Sequence, residues 1–121
     1  MQSLKGKFIA LDLDGTLCDV GESIPESVVE SLKKIVKKGA RLIICSGKPT
    51  YYLCGLFRQV GIKDVILVGE NGATYQEGVS LPPKVLNKVE LGKDVTESFE
   101  ILKNKIKEKL PDVWFQPNEV G

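Results

Sequence analysis

The amino-acid sequence predicts an α/β fold built on a parallel sheet in three layers, and three observations predict it. Three short apolar runs, residues 7–13 (KFIALDL), Arg41–Cys45 (RLIIC) and residues 65–68 (VILV), lack helical spacing and read as buried strands. Their near-continuous apolar character is that of parallel strands covered on both faces. Two stretches of helical period separate them, so the order is βαβαβ, with right-handed crossovers.

Each element follows from its residues. The first strand runs into Asp14, Gly15 and Thr16, a turn, and then a polar loop over residues 18–24. Pro25 suits the first turn of a helix. Val28, Val29, Leu32, Ile35 and Val36 recur at helical spacing, Lys37 and Lys38 suit the negative helix end, and Gly39 suits the stop. The second strand is followed by a loop, Ser46, Gly47, Lys48 and Pro49. Thr50 is expected to cap a helix running to about Val60, with Gly61 ending it. The third strand leads into Gly69, Glu70, Asn71 and Gly72.

The texture changes after Ala73. Residues 73–75 and 79–81 flank Gln76, Glu77 and Gly78 and suggest a small hairpin, with Pro82 and Pro83 as a hinge. Asp94 or Thr96 is expected to start a helix reaching Leu110, with Phe99, Leu102, Ile106 and Leu110 on one face and Pro111 as the stop. Residues 113–116 (VWFQ) read as a short strand. No internal repeat or low-complexity tract interrupts the pattern.

Composition narrows the function. The 121 residues are 42% hydrophobic and 27% charged, the balance of one ordinary globular domain. A net charge of +1 gives no field for gathering nucleic acid or anionic lipid. The absence of histidine excludes Ser-His and Cys-His nucleophile systems and histidine metal sites. Cys18, Cys45 and Cys54 form no C-x-x-C pair, which points to reduced thiols in a cytoplasmic protein. The apolar N-terminal run soon meets two aspartates and is neither a signal peptide nor a membrane span.

The chemistry concentrates in Asp12, Leu13, Asp14, Gly15 and Thr16. Side chains alternate along a strand, so Asp12 and Asp14 are expected to face the same way at its carboxyl end, where open α/β sheets place their ligand crevices. Two neighbouring carboxylates repel and call for a cation or a shared proton, and oxygen-only donors with room for water and phosphate favour Mg²⁺. Phosphoryl transfer fits: one carboxylate attacks phosphorus, and the other protonates the leaving alcohol and then activates water. Gly15 and Thr16 let the chain turn and are expected to offer N–H groups to the phosphate. Ser46 and Gly47, at the end of the next strand, can donate a hydroxyl and an N–H to the same group.

The run FIALDLDGTL resembles the first motif of the haloacid dehalogenase-like hydrolase superfamily. The resemblance implies Asp12 as nucleophile, Asp14 as acid/base, and Mg²⁺ held by the Asp12 carboxylate and the Asp14 backbone carbonyl. Ser46 and Gly47, beginning 34 residues after Asp12, are similar to the second motif, and Lys48 stands where an arginine is common and could meet substrate. Gly69, Glu70, Asn71, Gly72 and Ala73 are similar to the loop of members with large type-II caps, which include archaeal-type phosphoglycolate phosphatases, sugar-phosphate phosphatases and phosphomannomutase. That likeness implies that Asn71 shapes the rim of the site, that residues 1–73 form part of the core, and that residues 74–121 begin an α+β cap.

The implied activity is Mg²⁺-dependent hydrolysis of a small phosphorylated metabolite through an aspartyl-phosphate. The superfamily's third motif, a lysine, and its fourth, an acidic pair, normally follow the cap. The expectation is therefore a truncated phosphatase, one part of a split enzyme, or a non-catalytic phosphate- or partner-binding module, in that order. A response-regulator receiver also clusters aspartates, but its phosphorylated residue ends the third strand, where Glu70 and Asn71 stand here. The first strand is expected at an exposed sheet edge, and self-association through it follows.

Overall fold

The protein is described by a computed structural model covering residues 2–120. The elements are β1 (Phe8–Asp12), α1 (Glu26–Lys37), β2 (Arg41–Cys45), α2 (Thr50–Val60), β3 (Val65–Gly69), a 3-10 turn (Glu70–Gly72), β4 (Thr74–Glu77), β5 (Val85–Lys88) and α3 (Lys93–Lys109). The strands form one sheet in the order β1-β2-β3-β4-β5. The pairs β1·β2 and β2·β3 are parallel, as expected, whereas β3·β4 and β4·β5 are antiparallel, so the sheet is mixed.

Register explains the burial. Ile9, Leu42 and Val65 are aligned across the first three strands, as are Leu11, Ile44 and Leu67. These rows share one sheet face and one core with Leu32 and its half-buried neighbours from α1 and with Leu53, Cys54 and Phe57 from α2. Leu42, Ile44, Val65 and Leu67 are fully buried, each worth roughly 1.5–3 kcal/mol against exposure. The alternate residues Phe8, Ala10, Ile43 and Val68 stand outside this core, and Phe8 is 61% exposed. Both helices contribute to this one core, in keeping with the α/β fold expected from the sequence.

Three local expectations are corrected. Thr50 does not cap α2. Pro49 occupies the N-cap, no side chain caps the helix, and Thr50 is its first residue, 2% exposed. The hairpin is β4 with β5, with Glu77 opposite Val85, and not residues 73–75 with 79–81. Val79 instead drops into the core, and the Arg58 guanidinium donates to its carbonyl at 2.7 Å. Residues 113–116 form no strand. Gly61 does end α2, in the left-handed conformation expected of it (φ 79°).

Candidate active site

The carboxyl ends of the parallel strands frame a cleft of about 530 Å³ lined by Asp12, Cys45, Ser46, Gly47, Val68, Asn71 and Gly72. Asp12, Cys45 and Val68 are register partners across β1, β2 and β3, so one rim carries all three. Of the residues singled out from the sequence, the cleft gathers Asp12, Ser46, Gly47 and Asn71. Asp14, Gly15, Thr16 and Lys48 are not in its lining. A hollow of about 570 Å³ at the opposite end of the sheet, between Arg58, Lys63, Val79 and Lys84, is remote from Asp12.

The loop that follows β1 is held by its own backbone. Leu13, 2% exposed, turns into the core between exposed Asp12 and half-buried Asp14. One Asp12 carboxylate oxygen, Oδ1, accepts the Leu13 N–H at 2.7 Å. The Leu13 carbonyl accepts the N–H groups of Thr16 at 3.2 Å and Leu17 at 2.9 Å, and the Gly15 N–H goes to the Cys18 carbonyl at 2.7 Å. The two N–H groups expected to meet a phosphate are therefore already engaged, and using them would mean exchanging those bonds. Gly15 adopts φ 78°, a conformation that glycine takes without penalty. Burial, and then the carboxylates of Asp14 and Asp19, push the Cys18 thiol up from its ordinary range.

The second loop is pinned by the third. The Ser46 N–H donates to the Val68 carbonyl, and the Asn71 and Glu70 N–H groups donate to the carbonyls of Ser46 (3.1 Å) and Lys48 (2.9 Å). Glu70 and Asn71 are consecutive non-glycine residues at positive φ, 50° and 55°. Gly69 has no room for a side chain: a Cβ there would stand 2.6–2.7 Å from the Thr74 hydroxyl, the Lys48 carbonyl and the Thr50 nitrogen. Ser46 Oγ accepts the Lys48 N–H at 3.1 Å, so its own proton is free to donate. The Lys48 ammonium sits 5.7 Å from the centre of the Tyr52 ring, outside the cleft lining.

Residues 9–115 match the sequence pattern of the haloacid dehalogenase-like hydrolases. The chain belongs to this family. It is 34% identical over 74 residues to a phosphoglycolate phosphatase of Methanoculleus marisnigri, covering 61% of this chain and 31% of that protein. It is 32% identical over 92 residues to the 5-amino-6-(5-phospho-D-ribitylamino)uracil phosphatase of Bacillus subtilis, covering 75% and 31%. Among solved structures, a haloacid dehalogenase-like hydrolase from Bacteroides thetaiotaomicron superposes with a TM-score of 0.68 at 27% identity, over 86% of this chain and 38% of that one. The chain spans about a third of the length of the curated relatives it matches.

Haloacid dehalogenase-like hydrolases with phosphatase activity are implied to hold Mg²⁺, and the donors here suit it. Among the described residues no group of three or more His, Cys, Asp or Glu side chains converges. Mg²⁺ does not require one, since it keeps several waters and takes one or two carboxylates plus substrate phosphate. The Asp12 carboxylate, which lines the cleft, could supply one such ligand. No helix among the described residues is long and apolar enough to cross a membrane.

Sequence reasoning missed four participants in this hydrolase fold. Cys45 lines the cleft beside Asp12, a position that strand register alone could have given. Glu70, 7% exposed, accepts the backbone N–H groups of Glu119 at 2.6 Å and Val120 at 2.9 Å, one on each oxygen. Gln116 donates from Nε2 to the Gly47 carbonyl at 2.9 Å, and the Tyr51 hydroxyl donates to the Pro117 carbonyl at 2.6 Å. No local pattern links residues 69 positions apart.

Proposed function

We propose that this chain carries the phosphoryl-transfer residues of a Mg²⁺-dependent phosphomonoester hydrolase of the phosphoglycolate or sugar-phosphate type. The observation that carries this reading is the shared cleft of Asp12 and Ser46. The Leu13 N–H fixes one Asp12 oxygen and so orients the carboxylate, leaving the other oxygen to attack phosphorus. The Ser46 hydroxyl and the Gly47 N–H hold the non-bridging oxygens. Asp14 gives a proton to the leaving alcohol, then takes one from the water that opens the aspartyl-phosphate. Mg²⁺, held by the Asp12 carboxylate and the Asp14 carbonyl, would offset negative charge between nucleophile and phosphate.

Residues 74–121 begin the cap in this reading, and the substrate is a small phosphorylated metabolite. The phosphatase named for M. marisnigri supports that class. Three free cysteines suit a reducing cytoplasmic setting. β1 pairs only with β2 among the described strands and ends the sheet, so a second copy joining along this edge is part of the proposal.

Turnover of p-nitrophenyl phosphate with Mg²⁺ tests the assignment. The wild-type chain is expected to turn over slowly, Asp12→Asn to fall to background, and Asp14→Asn to lose about 10²–10⁴-fold. Equal rates for the wild type and Asp12→Asn would remove Asp12 as nucleophile.

A further inference from the structure

Three successive carbonyl oxygens in the Ser46–Gly47–Lys48 loop are all occupied, each by a donor from elsewhere. Ser46 O receives the Asn71 N–H, Gly47 O receives Gln116 Nε2, and Lys48 O receives the Glu70 N–H. The peptide joining Gly47 to Lys48 is held at both ends, its carbonyl by Gln116 and its N–H by Ser46 Oγ. With its three carbonyls engaged elsewhere, the loop keeps the Ser46 hydroxyl and the Gly47 N–H as donors, and Ser46 and Gly47 both line the cleft. A bare carbonyl there would repel an anion, and glycine lets this peptide turn easily. Gln116 therefore acts on the donors indirectly, by fixing the peptide that in turn orients Ser46.

Gln116 depends on a remote tether. Residues 116–120 have no regular secondary structure, yet they lie as a strap on the core. The strap is attached by Tyr51 to Pro117, by Glu70 to the N–H groups of Glu119 and Val120, and by an ion pair between Lys88 and Glu119. The Glu70 carboxylate is the buried member of this set, and its two oxygens take one N–H each. Charged acceptors of this kind make the stronger hydrogen bonds.

We propose that Glu70 and Gln116 are positioning residues for the phosphate loop. Glu70 clasps the strap, and the strap's Gln116 keeps the Gly47–Lys48 peptide in the orientation that leaves the Ser46 hydroxyl and the Gly47 N–H as donors to the anion. The inference rests on the phosphate-binding reading given above and assigns to it two residues outside the cleft lining.

The test uses the full chain, inorganic phosphate with Mg²⁺, and amide exchange followed by NMR. Gln116→Met keeps the length and removes the donor. It is expected to weaken phosphate about threefold to tenfold, the worth of one hydrogen bond, and to speed exchange of the Lys48 amide while Glu119 and Val120 stay protected. Glu70→Gln is expected to speed exchange at Glu119 and Val120 about tenfold and to weaken phosphate by a similar factor. The double variant should be no weaker than the worse single variant, because both act through one path. Protected strap amides in Glu70→Gln, an unchanged Lys48 amide in Gln116→Met, or additive losses in the double variant would each overturn the inference. A wild-type chain that binds no phosphate would sink the functional reading instead, and the exchange data would still decide the clasp.

Discussion

Two amphipathic helices of the chain, α2 and α3, meet opposite fates. In α2 the apolar residues Leu53, Cys54 and Phe57 are fully buried beneath Leu42, Ile44 and Leu67 of the sheet. In α3, the longest helix, no residue is buried, and Phe99 and Leu102 remain 42% and 52% exposed. β5 is exposed along its whole length. Both helices have an apolar side, so pattern alone does not decide burial. The difference lies in connection: α2 joins two central parallel strands and is laid across them, whereas α3 follows an edge strand at the far side of the sheet. The core made by β1–β3, α1 and α2 thus carries the folding energy, and α3 is carried along by the β4·β5 ladder and the strap.

This contrast can be broken by experiment. Phe57→Ala should cost roughly 3–5 kcal/mol, read from urea unfolding, while Phe99→Ala should cost no more than about 0.5 kcal/mol. Comparable losses would mean that α3 is packed in solution and that the two regions are not different in kind. Gly69→Ala sharpens the boundary between them, because its Cβ would collide with the Thr74 hydroxyl and two backbone atoms that hold the cleft. A loss of about 1–3 kcal/mol is expected from overpacking, and an unchanged melting temperature would show that the β3 end yields freely. The smallest effect is expected on the surface of α3, where Lys93→Ala removes an exposed pair with Glu97 at 3.7 Å. That change should stay within about 0.5 kcal/mol; a larger one would give α3 a structural weight that its exposure denies.

What could be read from residue order follows the same division. β2 has the expected bounds, and α2, β1 and β3 differ by a residue or two, because apolar runs, a proline and a left-handed glycine are local signals. The β4·β5 hairpin was misplaced because Val79 resembles a strand residue but serves as a core plug, while residues 85–88 have no buried face to mark them. Within the site, Asp12, Ser46, Gly47 and Asn71 were legible because each ends a strand or follows one. Glu70 and Gln116 were not, since their partners lie about fifty and seventy positions away in the chain.

The left-handed backbone at Glu70 has a consequence for anyone altering this protein. A residue with a Cβ in that conformation carries a penalty of about 1 kcal/mol or more that glycine escapes. Choosing each amino acid by its own dihedral angles would therefore install glycine at position 70 and relax the turn. The same change would delete the buried acid that holds the N–H groups of Glu119 and Val120, so a locally sensible improvement would loosen the attachment of the last described residues to the core.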